Sequence, residues 1–370
     1  MAAGSATDLL VIGGGPAGLA TAIEARLAGI EALLIDQRKP PIDVACGEGL
    51  MPVGVERLHR LGVEIPEKKR AAIRGIRYLD GASMVKARFN EGVGLGIRRL
   101  VLHDALCRRA TEVGVDFRWG EKARGLKSDG VETDGGFLKA RWLVAADGRL
   151  SRTRKLAGLE GHTLKRRRFG VRRHFAVSPW SEFVEVHWAD HAEAYVTPIG
   201  PEAVGIALLS SEYPTDFDRL MNRFSLLQAR LEGAEVMSRD RGAGPFGHRP
   251  AAVVRDRLAL VGDASGSLDP ISGEGLSVAF AQAHALIRSL GSGCIEEYAV
   301  AHRRISRGPR LLTGLLLVFE RHPRLRRRII RTLASNPSLF RHIVDVAASG
   351  RLPWTLPDSE APWLATRNTS

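Results

Sequence analysis

Apolar residues fall first into a short block at 9–12 after Asp8. They then form a spaced set, Leu19, Ile23 and Leu27, and a second block at 32–35 that closes on Asp36. Short unbroken apolar blocks predict buried strands, whereas spacings of three and four predict one face of a helix. The start of the chain therefore predicts a strand over 8–12, a helix over 16–29 and a second strand ending at Asp36. Pro16 suits the first helical turn, where its missing N–H would have no partner in any case. Residues 117–144 look like short strands broken by KSDGVETDGG, and 183–209 hold three more, in EFVEVHWAD, EAYVTPIG and AVGIALL. Over 215–233, Leu220, Phe224, Leu227 and Leu231 recur at helical spacing, with Thr215 as the expected N-cap. A loop at 243–252 returns the chain to a strand that runs into Gly262, then to a helix from about Leu276, and 296–350 look helical. This order predicts an α/β fold with a Rossmann-like first domain, interrupted by an antiparallel sheet domain and followed by C-terminal helices.

The first strand and helix are joined by Gly13-Gly14-Gly15-Pro16-Ala17-Gly18, a G-x-G-x-x-G spacing, and Asp36 follows Gly15 by 21 residues. Glycines allow a tight turn and close approach of backbone to a pyrophosphate, which the positive end of the helix attracts. An acid at the end of the second strand takes the ribose hydroxyls. Gly13, Gly15, Pro16, Ala17, Gly18 and Asp36 are therefore candidate dinucleotide-binding residues. This turn alone does not separate FAD from NAD.

Two later stretches bear on that choice. ARWLVAADGRLSRTRKLAGL, residues 140–159, runs a strand into Asp147-Gly148 and on to Ser151 and Arg154, fitting DGxxSxxR. Residues 255–286 run a strand into Gly262-Asp263-Ala264, followed by Pro270, Gly273 and Gly275. With these motifs the chain, over roughly residues 8–300, resembles the group A flavoprotein monooxygenase superfamily of the para-hydroxybenzoate hydroxylase type. That superfamily also holds geranylgeranyl reductases and flavin-dependent halogenases. The resemblance implies FAD, with NADH or NADPH as a transient reductant. It implies that Gly262 and Asp263 hold the ribityl chain and that Asp147 lies near the pyrophosphate. Pro270, Gly273, Gly275 and Leu276 would aim a helix at the flavin pyrimidine edge. IRRLVLHDAL matches the family's R-x-x-L-x-x-x-L element, in which Arg99 reaches the cofactor.

The loop VACGEGLMP, residues 44–52, is similar to the cysteine–glycine loop of geranylgeranyl reductases, which lies against the flavin ring. The resemblance makes Cys46 and Gly47 cofactor contacts, Gly47 because it lets the backbone approach a flat ring. Cys46 and Glu48 are the candidate catalytic residues, as a thiol and a carboxyl able to move a proton. The reductases' YxWxFP motif is reduced here to AYVTPIG, with Pro198 retained, and the halogenase WxWxIP pattern is absent. On this pattern the first expectation is an NAD(P)H-dependent monooxygenase hydroxylating an aromatic or polyketide-like small molecule. The second is a reductase of carbon–carbon double bonds in a lipophilic substrate. A non-catalytic prenyl-binding protein of the same fold is the third.

The expected division is a discontinuous FAD-binding domain over 1–77, 96–166 and 246–300, and a substrate-binding sheet domain over 78–95 and 167–245. C-terminal helices over 301–352 and a loose tail over 353–370 complete it. Three cysteines without metal or disulfide spacing suit a reducing compartment, so the expected location is cytoplasmic, with no metal site. The net charge of +13 includes ten arginines over 303–331, opposed within that stretch by Glu320 alone. With no interleaved stacking aromatics, no nucleic-acid partner is expected. LLTGLLLVF at 311–319 is too short to span a bilayer, which makes 303–331 a candidate peripheral membrane contact or a lid.

Overall fold

The computed structural model describes residues 6–163 and 167–349. Five strands lie parallel in the first sheet, in the spatial order Leu258–Leu260, Gly136–Ala145, Thr7–Ile12, Ala32–Asp36 and Asp116–Trp119. Val254–Arg255 adds an antiparallel edge, and the ribbon of Ala123–Lys127 and Gly130–Thr133 extends from the long strand. Strands buried on both faces must be apolar on both. Leu9 and Val11 accordingly pack with Leu19, Ile23, Leu102, Leu106 and Phe280 on the helical side, while Leu10 and Ile12 pack with Val131 and Leu138 on the other. The first helix, Pro16–Leu27, stops two residues short of Gly29, which takes the left-handed conformation (φ +77°) that commonly closes a helix.

The registers Ile12↔Ile35, Ile12↔Ala145 and Ala145↔Leu260 bring the carboxyl ends of four strands to one edge. Three glycine-bearing turns, at 13–15, 146–148 and 261–263, therefore leave the sheet side by side. In parallel sheets this is the edge that binds ligands.

The second sheet has the order Glu235–Val236, Phe169–Ala176, Ala203–Ser210, Ala192–Gly200, Phe183–Ala189, Gly75–Asp80 and Ser83–Arg88. It is antiparallel except where Phe183–Ala189 runs parallel to Gly75–Asp80. The crossing into it occurs at Gly75, ahead of the expected 78, and Gly94–Ile97 belongs to a small third sheet with Gly49–Leu50 and Arg70–Ile73. That third sheet wedges between the larger two. A Cβ on Gly96 would lie 1.6 Å from Pro198 O, so only glycine lets the layers meet.

The helix expected over 215–233 is instead two, Phe217–Met221 and Ser225–Leu231. Asp216, not Thr215, is the cap: its carboxylate accepts the Arg219 N–H at 2.7 Å, while Thr215 donates to Glu212 O. The apolar face survives the break, with Phe217, Leu220, Phe224 and Leu227 in one core against the sheet.

Three C-terminal helices, Glu296–Arg321, Pro323–Ala334 and Pro337–Ser349, close the structure, the first starting before the expected 301. Their arginines are not opposed by Glu320 alone. Arg326 is fully buried, with Nε 2.7 Å from Asp80 Oδ2 and its guanidinium over the Trp188 ring, and Arg327 reaches both Asp80 and Asp190. The tail expected to be loose over 353–370 lies outside the described residues. Among the described residues no helix is long and apolar enough to cross a membrane, and no group of three or more His, Cys, Asp or Glu side chains can hold a metal.

Candidate functional site

The first turn is shaped by contacts that leave no room for side chains. Gly13 has φ +118°, and a Cβ there would sit 2.4 Å from Ala146 O; a Cβ on Gly18 would sit 1.8 Å from Gly13 O. Asp36 braces the turn from the next strand, with Oδ2 accepting the Gly14 N–H and Oδ1 the Arg38 N–H, each at 2.7 Å. His103 Nε2 meets Gly14 O at 2.9 Å from below. Gly15 differs from its neighbours: the nearest atom to an added Cβ is Arg99 Nη2, at 3.9 Å. The space over Gly15, at the amino end of the first helix, is thus open.

The other two turns close against the first. Gly262 (φ +58°) sits so near the first helix that its Cβ would meet Ala17 Cβ at 2.6 Å. Asp147 turns its carboxylate into its own loop, where it accepts from Ser151 Oγ and from both N–H and Oγ1 of Thr153. It is a brace for that loop rather than a group aimed outward. Arg154 then ties the two turns together, donating to Ala264 O and Arg149 O at 3.1 Å each. Asp263 presents an accessible carboxylate that is nonetheless walled by protein, as on the floor of a crevice. Burial raises its pKa, and Arg149, Arg99 and Arg154 oppose that rise.

Arg99 stands at the centre. It starts the helix Arg99–Glu112 and is 9% exposed, and its Nε has no partner. Burial lowers its pKa, while Cys46, Asp263, Glu48 and Asp43 around it act in the opposite sense. A buried guanidinium with an unused donor is costly unless something fills the site. Across the groove, Gly273 (φ +70°) places its Cβ position 3.5 Å from Met51 Cε. Pro270 opens the short 3-10 turn Pro270–Ser272, and the helix Gly275–Gly291 begins with Gly275 and its neighbour Leu276. No atom lies within 4 Å of a Cβ built on Gly47 or Gly275. Open backbone at Gly15, Gly47 and Gly275, an unpaired arginine donor and an accessible Asp263 carboxylate together fit FAD.

The 44–52 loop is held in an uncommon shape. Glu48 is 3% exposed and has φ +60°, a left-handed conformation that a non-glycine residue adopts only when its surroundings impose it. Its Oε1 accepts the Arg99 backbone N–H at 2.8 Å and its Oε2 meets His174 Nε2 at 2.6 Å. Arg172 Nη1 lies 3.2 Å from His174 Nδ1, and since arginine only donates, Nδ1 must accept. His174 therefore carries its proton on Nε2 and gives that hydrogen bond to Glu48. Arg172 is fixed in turn by Asp43 at 2.7 Å. Both Glu48 oxygens accept from N–H groups, the bonding of a carboxylate held in place. Cys46 Sγ accepts the Glu48 N–H at 3.3 Å. Burial raises the thiol pKa, with the positive Arg99 opposing and Glu48 adding to the rise.

Gly13, Gly15, Pro16, Ala17, Gly18, Asp36, Arg99, Asp263, Gly262, Cys46, Gly47 and Glu48 thus meet around one groove, with Pro270, Gly273, Gly275 and Leu276 along its far wall. Asp147 joins them through its backbone, its nitrogen lying 2.7 Å from the Gly13 Cβ position. Sequence reasoning passed over Arg172 and His103, gave His174 no role, and met Arg154 only as the last residue of DGxxSxxR. Their roles show only in partners such as Glu48, 126 positions from His174, and Ala264, 110 positions from Arg154.

A sheet edge of this kind, with an open glycine turn and converging arginines, defines a flavin-dependent oxidoreductase. The family described as FAD binding domain matches residues 6–221, and the chain belongs to it. Over 303 residues it is 28% identical to a menaquinone reductase of Mycobacterium tuberculosis, covering 75% of this chain and 74% of that protein. It is 27% identical over 343 residues to digeranylgeranylglycerophospholipid reductase 1 of Methanothermobacter thermautotrophicus, covering 82% and 81%. A rifampicin monooxygenase of Streptomyces venezuelae is 30% identical over 161 residues, 41% of this chain and 34% of that one. The fold is that of a flavin-dependent brominase, with a TM-score of 0.81 at 19% identity over 93% of this chain and 94% of that one.

Proposed function

We propose that the chain is an NAD(P)H-dependent flavin reductase that saturates a carbon–carbon double bond in a lipophilic, isoprenoid- or quinone-like small molecule. The observation that carries this reading is the place of the Cys46 thiol at the groove, its Sγ accepting the Glu48 N–H at 3.3 Å; burial raises its pKa and so favours the protonated form. Bound FAD supplies a hydride equivalent drawn from NADH or NADPH, and the chain supplies the rest. Saturation requires a proton at the carbon next to the one that takes the hydride. Cys46 gives it: the S–H bond breaks, a C–H bond forms, and the thiolate is left beside the Arg99 charge. Glu48, fixed on both oxygens, disfavours the thiolate through its charge, so that the sulfur takes a proton back from water between turnovers, and it holds the loop in its left-handed turn. The two reductases of similar length, each matched over about three-quarters or more of both chains, support this reading. A substrate of this kind resides in a bilayer.

Oxidation of NADH or NADPH is to be followed without oxygen, with a menaquinone and with a geranylgeranyl compound as acceptors. Reduction of either, with turnover lowered about tenfold or more in Cys46→Ala while bound flavin is retained, is the expected result. If oxidation proceeds only with oxygen and the product gains an oxygen atom, the reductase reading fails. The outcome is then the second reading, hydroxylation of an aromatic or polyketide-like molecule, which the likeness to rifampicin monooxygenase favours.

A further inference from the structure

The outer side of the C-terminal helices serves neither the groove nor the core. On the helix Glu296–Arg321, Leu311 is 48%, Leu315 53% and Val318 39% exposed. Their spacing of four and three residues puts them on one face. The preceding turns of that face carry Arg304 and Arg307, both exposed. Thr313, Leu316 and Glu320 are the buried side of the same turns, so the outer leucines are not needed to complete the core. Val318 then shares a surface hollow with Leu325, which is 43% exposed, and with Arg321, Arg324 and Arg327. Asp190 is the acid that lines this hollow, and it lies 3.7 Å from Arg327 Nη2.

Exposed apolar side chains in a row are costly in water and mark a contact surface. The cations that bracket this row select its partner. Two copies of the same face would bring arginine against arginine, which opposes self-association. A nucleic acid would meet the charges but gain nothing from burying leucines. A lipid surface with negative headgroups satisfies both, with leucines below the phosphates and guanidiniums among them. The helix, about 39 Å long, would lie along the surface rather than through it.

We propose that this face, centred on Leu311, Leu315, Val318 and Leu325 with Arg304, Arg307, Arg321 and Arg324, docks the protein onto an anionic phospholipid bilayer. The inference stands on this surface alone and is independent of the chemistry at Cys46. It is tested with the flavin-loaded full chain and sedimenting vesicles of phosphatidylcholine alone or mixed equally with phosphatidylglycerol. The protein is expected to sediment with the anionic vesicles and stay in solution with the neutral ones. Leu311→Gln, Leu315→Gln and Val318→Gln combined, and separately Arg304→Gln, Arg307→Gln and Arg324→Gln combined, should each lower that binding about tenfold or more. Because these side chains face outward, both variants keep the bound-flavin spectrum. Absence of binding to anionic vesicles, or equal binding to both kinds, overturns the proposal. So does light scattering that shows a dimer abolished by the leucine substitutions.

Discussion

At Gly18 an added methyl would fall 1.8 Å from Gly13 O, backbone that cannot move without opening the turn, whereas at Gly15 it would meet only Arg99 Nη2 at 3.9 Å. The two glycines of one motif therefore fail differently. Gly18→Ala is expected to yield no folded protein. Gly15→Ala is expected to fold with near-normal thermal stability when flavin-free, yet to lose bound flavin, because its methyl enters the space over the helix terminus. Visible absorbance and thermal denaturation of both variants check this, and equal flavin content in Gly15→Ala would contradict it. The motif was legible in sequence because its spacing is local. The bonding of Glu48 was not: the carboxyl flagged for proton transfer accepts from Arg99, 51 positions on, and from His174, 126 positions on. A single chain of letters carries no sign of such pairings.

At the scale of elements, the helix Gly275–Gly291 begins beneath a buried carboxyl. Glu274 is 6% exposed and its Oε2 has no hydrogen-bond partner. Burial raises its pKa to about 7, against a hydrogen bond from Ser272 and the charge of Arg57. The unfolded chain releases this proton near 4.5, the folded one near 7, so stability attached to Glu274 is full below 4.5 and is lost as pH rises through 7. Glu274→Gln removes the titration. Its melting temperature relative to the parent is expected to climb between these values, by the equivalent of about 3 kcal/mol. His302, lowered by burial to about 4, acts with the opposite sign but is common to both proteins and cancels. A flat difference across that range would disprove the assignment. Most elements followed from apolar spacing, as the alternation of Leu9 and Val11 against Leu10 and Ile12 shows. The helix expected over 215–233 did not, because the apolar spacing is continuous across Asn222–Phe224 while the backbone turns there. Periodicity records which side faces the core, not whether the axis is unbroken.

Across the whole molecule, buried ion pairs join parts distant in sequence. Arg326 of the C-terminal helices reaches Asp80 of the second sheet, with both side chains at 3% exposure or less. Arg326→Met leaves that carboxylate with the longer 3.4 Å contact to Arg327 and is expected to cost about 3 kcal/mol. Adding Asp80→Asn should recover part of the loss, as read by denaturant unfolding; a double variant no better than the single would show that packing over Trp188 matters more. The sequence presented Arg326 as one of ten in a basic run, and only the fold separates it from the exposed members. The interruption of one domain by another was legible from the order of strand-like and helical stretches. The edges of that interruption were not, since Gly75 and Gly94 change sheets without a break in composition.

Along the strand Ala192–Gly200, the alternate side chains of Glu193, Tyr195 and Thr197 link it to the first domain, the first of them through Arg168. Glu193 shares Arg168 with Asp269, Tyr195 donates to Ile271 O at 2.7 Å, and Thr197 donates to Gly47 O at 2.8 Å. One strand thus grips the groove from both banks, at 47 and at 269–271. Whatever seats itself on that sheet and nudges the strand must shift both banks together, so occupancy on one side is felt as a change in the width of the other.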